Sequence, residues 1–431
     1  MNMTDKIIRT LGDCGITAWR LTDRTEETTE LFFVKKQLDT RRAKDTRKYF
    51  VTVFRDEERA GQKLRGCTDT EILPGDSDEQ IAQKLNDAYF AAQFALNPYY
   101  DLPDPVAAAP VYKTGELATA PLAESAGKMA TALFAPDTRA DAFLNSAEIF
   151  VSRVAVHILT SAGTDVAYTD AHVTGEFVVQ CREPEDVEMF HEFSYDACDT
   201  QALEKQVAQA LDYVYDRAHA QKTLKSGQYD LMLCGEEAAE VLSYYAERSD
   251  AAMIYSRYSS WKAGDSVQAG ENGITGEALD LTLCATVPYS AEGIPMRDLP
   301  LLRGGKLENV YGANQFCRYL GIQPTGSYRK LRCENPGKET FADMKKKPCL
   351  WAVAFSDFQM DSFSGHFGGE IRLAYLIDGD TVTPVTGGSV NGSLLEAQKE
   401  LAFSTDRFVS SAYEGPYAVR MKNVAVAGSE G

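Results

Sequence analysis

The sequence has 431 residues, of which 44 are Lys or Arg and 63 are Asp or Glu, for a formal net charge of −19 at pH 7. A surface of that sign repels phosphate backbones and anionic lipids, which argues against nucleic-acid and membrane-surface partners. No window approaches the ~18 consecutive apolar residues of a membrane span, and residues 1–19 lack the basic-then-apolar pattern of a secretory signal. The nine cysteines are scattered, odd in number and without a CxxC pair, which fits reduced thiols and a cytoplasmic location rather than a disulfide framework.

The first segment reads as α/β. A short helix over 5–11 leads into strands at 16–21, 30–35 and 49–54, whose β-branched and aromatic residues alternate with polar ones. Ser77, with Gln80 three residues on, is a capping box for a helix whose apolar positions are Ile81, Leu85, Ala88 and Ala92. Residues 98–128 are rich in Pro and Ala and read as a linker or crossover. A central α/β region, 129–222, holds strands at 148–160 and 175–181. Asp199 or Thr200 there caps a helix with Leu203, Val207, Leu211 and Val214 on its apolar face.

Residues 223–431 differ in texture, with many glycines and short strand-like runs at 229–234, 279–288, 350–355, 371–377 and 419–427. Helices are expected only at 236–247, 311–320 and 393–403. The fold class that follows is α+β, an N-terminal α/β domain over 1–97 and a central α/β region before a β-rich, barrel-like C-terminal domain of largely antiparallel strands.

Searches for local chemistry return little. There is no GxxxxGK[ST], no strand-linked GxGxxG and no GxSxG. The five histidines never fall at i, i+4, and HExxH is absent. Ser364 and His366 share a glycine-rich turn, but residues so close in sequence rarely face each other as nucleophile and base.

Two blocks carry a resemblance. Residues 288–297, Pro-Tyr-Ser-Ala-Glu-Gly-Ile-Pro-Met-Arg, precede Leu301-Leu302-Arg303-Gly304-Gly305-Lys306-Leu307, Leu320-Gly321 and Thr325-Gly326. Ser364-Gly365-His366-Phe367-Gly368-Gly369-Glu370 precedes Tyr375-Leu376-Ile377-Asp378-Gly379, Pro384-Val385-Thr386-Gly387-Gly388 and Val390-Asn391-Gly392. The first resembles the EGxP…GxL…LGxxxTG stretch of the TldD/PmbA family, metallopeptidase-related proteins also called modulators of DNA gyrase. The second resembles that family's SGxF…PV…Gn stretch, and looser similarity extends through the N-terminal half.

The resemblance implies a family divided by chemistry. TldD-type members carry HExxxH on the helix after the first strand of the C-terminal domain, and a later cysteine completes a zinc site. Here the corresponding positions read Ser243-Tyr244-Tyr245-Ala246-Glu247-Arg248. Ser243 and Arg248 stand for the ligands and Tyr244 for the base, while residues 408–416, the expected cysteine segment, hold no cysteine. An arginine cannot ligate zinc. The pattern is that of the PmbA/TldE-like branch, with no catalytic or metal residue and no cofactor in this chain, zinc being expected only in a TldD-type partner. The expected role is the non-catalytic subunit of a cytoplasmic zinc peptidase acting on unfolded peptides, dimerised with that partner or with itself and holding an extended peptide. Ser243, Tyr244 and Arg248 mark the vestigial site and are expected to face the chamber. Tyr245, Ser364, His366 and Gly368 are the further chamber- or peptide-facing candidates, although Tyr244 and Tyr245 also read as core aromatics on an ordinary helix. The alternatives are a metallopeptidase with a non-standard site, or a homodimeric peptide-binding protein without catalysis.

Overall fold

The computed structural model describes residues 2–268 and 273–429. The N-terminal half is built on seven strands: β1 (Ala18–Val34), β2 (Gln37–Arg59), β3 (Gln62–Ile72), β4 (Leu96–Pro98), β5 (Ala142–Thr160), β6 (Asp165–Cys181) and β7 (Val187–Tyr195). They form one antiparallel sheet in the order β4-β3-β2-β1-β5-β6-β7. β1 meets β5 from Arg20↔Thr160 to Val34↔Ser146, so the regions on either side of the Pro/Ala-rich segment share a single sheet.

Side chains alternate across a strand, and the odd-numbered residues of β1 face the helices. Helices α1 (Met3–Asp13) and α2 (Asp78–Ala92) cover one end of the strands, where Ile7, Leu11, Ile81 and Leu85 pack on Leu21, Val51 and Ile72. The capping box of α2 forms as expected: Ser77 N donates to Gln80 Oε1 at 2.8 Å and Gln80 N to Ser77 Oγ at 3.3 Å. After a single turn, α3 (Glu116–Thr119), helices α4 (Leu122–Phe134) and α5 (Thr200–Ala218) cover the other end. Asp199 caps α5 by accepting from Ala202 N at 2.9 Å, and Leu203, Val207, Leu211 and Val214 are buried.

Between the two helix pairs the face stays open as a cavity of about 810 Å³, with Asp23, Arg47, His157 and Asp165 in its walls. The Pro/Ala segment forms its rim. Residues 106–111 lie along the part of β6 that β7 does not reach, through Asp165 N→Val106 O (2.8 Å) and Val111 N→Ala167 O (2.9 Å). On the opposite face Val156, Ile158 and Val166 pack against Tyr289 of the C-terminal half.

Two strands expected at 16–21 and 30–35 are one 17-residue strand, β1, and 49–54 is the inner part of the 23-residue β2. The intervening residues lack apolar alternation because pairing on both flanks of β1, rather than burial of side chains, holds them extended.

The C-terminal half begins with β8 (Gly227–Cys234), α6 (Glu236–Arg248) and α7 (Ala251–Tyr255). A six-stranded sheet has the order β11-β10-β9-β12-β20-β19, built from β9 (Leu281–Cys284), β10 (Leu299–Arg303), β11 (Lys306–Leu307), β12 (Lys330–Cys333), β19 (Arg407–Val409) and β20 (Tyr413–Pro416). Helix α8 (Asn314–Leu320) lies between β11 and β12, and α9 (Phe341–Met344) leads from β12 to β13 (Cys349–Phe355). Then follow β14 (Gln359–Met360), β15 (His366–Asp378), β16 (Thr381–Val385), β17 (Ser389–Ser393), α10 (Leu394–Ala397), β18 (Ala402–Phe403) and β21 (Ala418–Ala427).

Five of these strands close on themselves. β13 pairs with β8, β8 with β21, β21 with β17, β17 with β15, and β15 returns to β13; only the β13–β8 pairing is parallel. The result is a five-stranded barrel, in keeping with the α+β class and the barrel-like C-terminal domain expected from sequence. Val241, Leu242 and Tyr245 of α6 share one core with Leu231, Leu350, Phe367 and Val390 of the ring and Leu281, Leu301 and Leu331 of the six-stranded sheet. The helix expected over 393–403 is instead the single turn α10, a 3₁₀ turn at Gln398–Glu400 and β18. Pairing of Ala402 and Phe403 with β21 draws the chain out of the helix. All nine cysteines are free thiols. Among the described residues no helix is long and apolar enough to cross a membrane.

Candidate functional site along helix α6

Gly235 turns the chain from β8 into α6 at φ +59°, a conformation other L-residues adopt at a cost. The helix then presents Glu236, Glu240, Ser243 and Glu247, at helical spacing, to a cleft of about 460 Å³. Tyr311, Tyr328, Arg329, Lys330 and Ala412 form the facing wall. Ser243 is half-buried there, and its Oγ donates back to Glu240 O at 2.7 Å. Glu240 Oε1 accepts from Met360 N at 3.3 Å, which ties β14 to the helix.

Tyr244 and Tyr245 do not face this cleft. Both are buried, and the expectation that Tyr244 faces the chamber and Tyr245 a peptide is corrected: they lie in the core with Val241 and Leu242. Tyr245 stacks on Trp261 with centroids 6.2 Å apart, and Tyr244 meets the same indole edge-on at 5.7 Å. The phenol of Tyr245 donates to Gln398 Oε1 at 2.8 Å, which satisfies its one polar atom without water. Burial raises the phenol pKa of both. Arg248 is likewise committed. Its guanidinium lies 5.5 Å from the Trp261 ring centre and donates through Nη1 to Tyr258 O.

These residues do not fit a zinc ion. Zinc takes imidazole, thiolate or carboxylate ligands, and the three positions supply a hydroxyl bonded to its own helix, a core phenol and a fixed cation. Ala412 is the residue of the 408–416 segment that lines the cleft, and it has no donor atom in its side chain. Among the described residues no group of three or more His, Cys, Asp and Glu is arranged to hold a metal ion.

The cleft is chiefly carboxylate in character on its α6 side. Desolvation pushes the Glu237 carboxyl up to about 7, and burial raises Glu236 as well. Arg329 and Lys330 across the gap give the opposite wall the opposite sign. Such a cleft can accept N–H groups on one side and donate to carbonyls on the other. Sequence reasoning passed over Glu236, Glu237, Glu240, Arg329 and Lys330. The available signal was the i, i+4 recurrence of Glu236 and Glu240 on a helix with one apolar face.

Ser364 lies on the turn into β15, and His366 and Gly368 are among the first residues of that strand. Ser364 and His366 are exposed; Ser364 Oγ donates to Asp361, while the backbone N–H of His366 points to Ser364 Oγ at 3.3 Å. The His366 imidazole is directed elsewhere, with Nδ1 3.3 Å from Gly392 O. Gly368 is part of the β15–β17 pairing, and a Cβ there would stand 2.5 Å from Val390 O. The turn approaches the C-terminal end of α6 indirectly, through the exposed edge-to-face pair Tyr258–Phe363 at 5.1 Å.

Residues 226–428 match the family model of the PmbA/TldA metallopeptidase C-terminal domain. The C-terminal part of the chain is thus similar to the C-terminal domain of PmbA/TldA metallopeptidases. Similar solved structures include TldE from Thermococcus kodakarensis, 15% identical, with a TM-score of 0.78 over 99% of this chain and 100% of that one. Two proteins described as candidate DNA gyrase modulators are also similar. The one from Thermotoga maritima is 14% identical with a TM-score of 0.76 over 98% and 99% of the two chains. The one from Bacteroides thetaiotaomicron is 15% identical with a TM-score of 0.79 over 99% and 98%. At these identities the likeness is one of fold. No curated protein matches the sequence. Helix α6 of this chain stands where the resemblance puts HExxxH, with Tyr244 and Tyr245 turned into the core.

Proposed function

We propose that this chain is a PmbA/TldE-like, non-catalytic subunit of a cytoplasmic TldD-type zinc metallopeptidase that acts on unfolded peptides. The observation that carries the reading is the use made of α6. Tyr244 is packed under Trp261, Arg248 is pinned on the same ring, and Ser243 bonds to its own helix, so the three positions serve structure. In this reading the zinc and the water-activating carboxylate reside in the partner subunit. The cleft beside α6 contributes a polar wall with which an extended peptide can exchange backbone hydrogen bonds.

The test has two parts. Protein purified alone, without chelators, is expected to carry no stoichiometric zinc and to leave an unstructured peptide intact. Co-expression with a TldD-type subunit is expected to give a stable complex that cleaves the peptide. Near one zinc per chain, or cleavage without a partner, would show a metallopeptidase in its own right. A peptide-binding homodimer that ignores every TldD-type subunit would replace the proposal with a binding role.

A further inference from the structure

The longest strand of the molecule is only half covered. β1 pairs with β2 from Gln37 to Phe54, whereas β3 pairs with it only from Tyr49 to Arg59. Among the described residues no strand adjoins the outer edge of residues 37–48, and every one of them is exposed. Alternate N–H and C=O groups of an edge strand point away from its one neighbour. This stretch therefore offers an open hydrogen-bonding edge about 40 Å long, at ~3.3 Å per residue.

Its charge is the reverse of the protein's. Between residues 35 and 48 there are seven Lys or Arg against Asp39 and Asp45, in a chain whose net charge is −19. The inner flank of these cations is already occupied. Glu30 of β1 stands opposite Arg42 and takes both Arg42 (2.8 Å) and Lys44 (2.5 Å), and Asp23 takes Arg47 at 2.6 Å. Lys48, at the inner end of the stretch, pairs with Glu71 of β3 at 3.2 Å; before it the outer flank faces solvent, and Arg41 makes no ion pair among the described residues. The sheet thus runs from an acidic β1 to a basic β2 and stops there.

We infer that residues 37–48 dock an extended, acidic segment of another protein as an added strand. Carboxylates on that strand would continue the alternation of sign, and cross-strand opposite charges stabilise pairing. A second copy of the same edge is a poor occupant, because two such edges laid together bring ten Lys or Arg to one seam against four Asp. Basic residues on an edge are a known guard against such self-pairing. A nucleic acid would have to overcome the field of the surrounding acidic surface, and it cannot use the free amides as a register.

The experiment uses the full chain and a labelled twelve-residue peptide in which Glu alternates with Thr and Val. A Lys-for-Glu version and a single-stranded oligonucleotide serve as competitors. The Glu peptide is expected to bind in fluorescence anisotropy, to weaken with added salt, and to slow amide exchange selectively within 37–48. Arg41→Glu combined with Ala43→Glu, both at exposed positions, is expected to weaken binding by about tenfold or more while the melting temperature stays unchanged. Equal binding of the Lys peptide, tighter binding of the oligonucleotide, or protection confined to another segment would overturn the inference. So would protection of 37–48 in the free chain that disappears on dilution, since a second copy would then be the occupant.

Discussion

The two halves of the molecule pair their strands in opposite ways, and two kinds of glycine serve both of them. In the N-terminal sheet, neighbours in space are mostly neighbours in sequence, as in β1-β2-β3 and β5-β6-β7; the hairpin glycine Gly61 stands in open space, whereas a Cβ on Gly66 or Gly175, inside β3 and β6, would meet Ala92 O at 1.9 Å or Glu148 O at 2.3 Å. Gly61, between β2 and β3, has φ +74° and nothing within 4 Å of where a Cβ would lie. In the barrel the strand order is β13-β8-β21-β17-β15, and glycines lie inside or beside the strands where another backbone passes. A Cβ on Gly368 would meet Val390 O at 2.5 Å, and one on Gly388 would meet Ala427 O at 2.4 Å. The first kind of glycine answers to a dihedral angle, the second to the thickness of a side chain.

The largest expected effect tests that distinction directly. Gly368→Ala forces two ladder strands apart at a backbone carbonyl, which cannot rotate away. We expect a loss of about 3 kcal/mol or more, read as a lowered denaturation midpoint, and a selective loss of exchange protection in β15 and β17. Gly61→Ala is its counterpart and should cost only about 1 kcal/mol, the strain of a left-handed residue. Similar losses for the two would break the comparison.

The halves should also respond to pH with opposite sign. His191, in β7, stacks on Phe177 at 5.2 Å, and burial lowers its pKa from 6.5 to about 4. The unfolded chain binds more protons than the folded one between those values, so this contribution is present above about 6.5 and lost as pH falls towards 4. Glu237, beside the α6 cleft, is raised from 4.5 to about 7. There the folded chain binds the extra proton, so its contribution is present below about 4.5 and lost as pH rises towards 7. Denaturation midpoints measured from pH 4 to 8 should lose a component that rises with pH between about 4 and 6.5 in His191→Gln, and one that falls with pH between about 4.5 and 7 in Glu237→Gln. A change of slope with the same sign in both variants would contradict the assignment.

Smaller effects probe the pins of each half. Tyr245→Phe leaves Gln398 Oε1 without its phenol donor in the core and should cost about 1–2 kcal/mol by equilibrium unfolding. Ser77→Ala removes one side of the capping box of α2 and should cost about 1 kcal/mol. A reversal of that order would mean that α2, rather than α6, is the better packed helix.

These contrasts also mark what the sequence discloses. Helices whose ends are written in side chains, such as α2 with Ser77 and Gln80 or α5 with Asp199, are legible because the cap and the apolar stripe are local. The middle of β1 and the outer half of β2 are not. Residues 22–29 and 37–48 carry no apolar alternation, and only backbone pairing, with β2 and β5 for the first and with β1 for the second, keeps them extended. Around α6 the resemblance located the right helix, but orientation depended on Trp261 and Gln398, which reach it from elsewhere in the chain. Tyr245 finds its hydrogen-bond partner 153 residues away. The glycines of the ring were visible as letters, while the carbonyls they accommodate were not.

The closure of the ring governs when the C-terminal domain can exist at all. β8 lies between β13 and β21, so the first strand of the domain waits for a partner some 190 residues downstream. During synthesis the N-terminal sheet has all its strands once residue 195 is available, well before the barrel can close. Until residues 418–427 emerge, β8 keeps one raw edge and the core around α6 stays open on that side. A nascent chain in that interval exposes apolar surface and unpaired strand. The last strand is therefore the latch of the domain, and the time taken to translate from β8 to β21 sets the shortest interval over which the growing chain must be kept from aggregating.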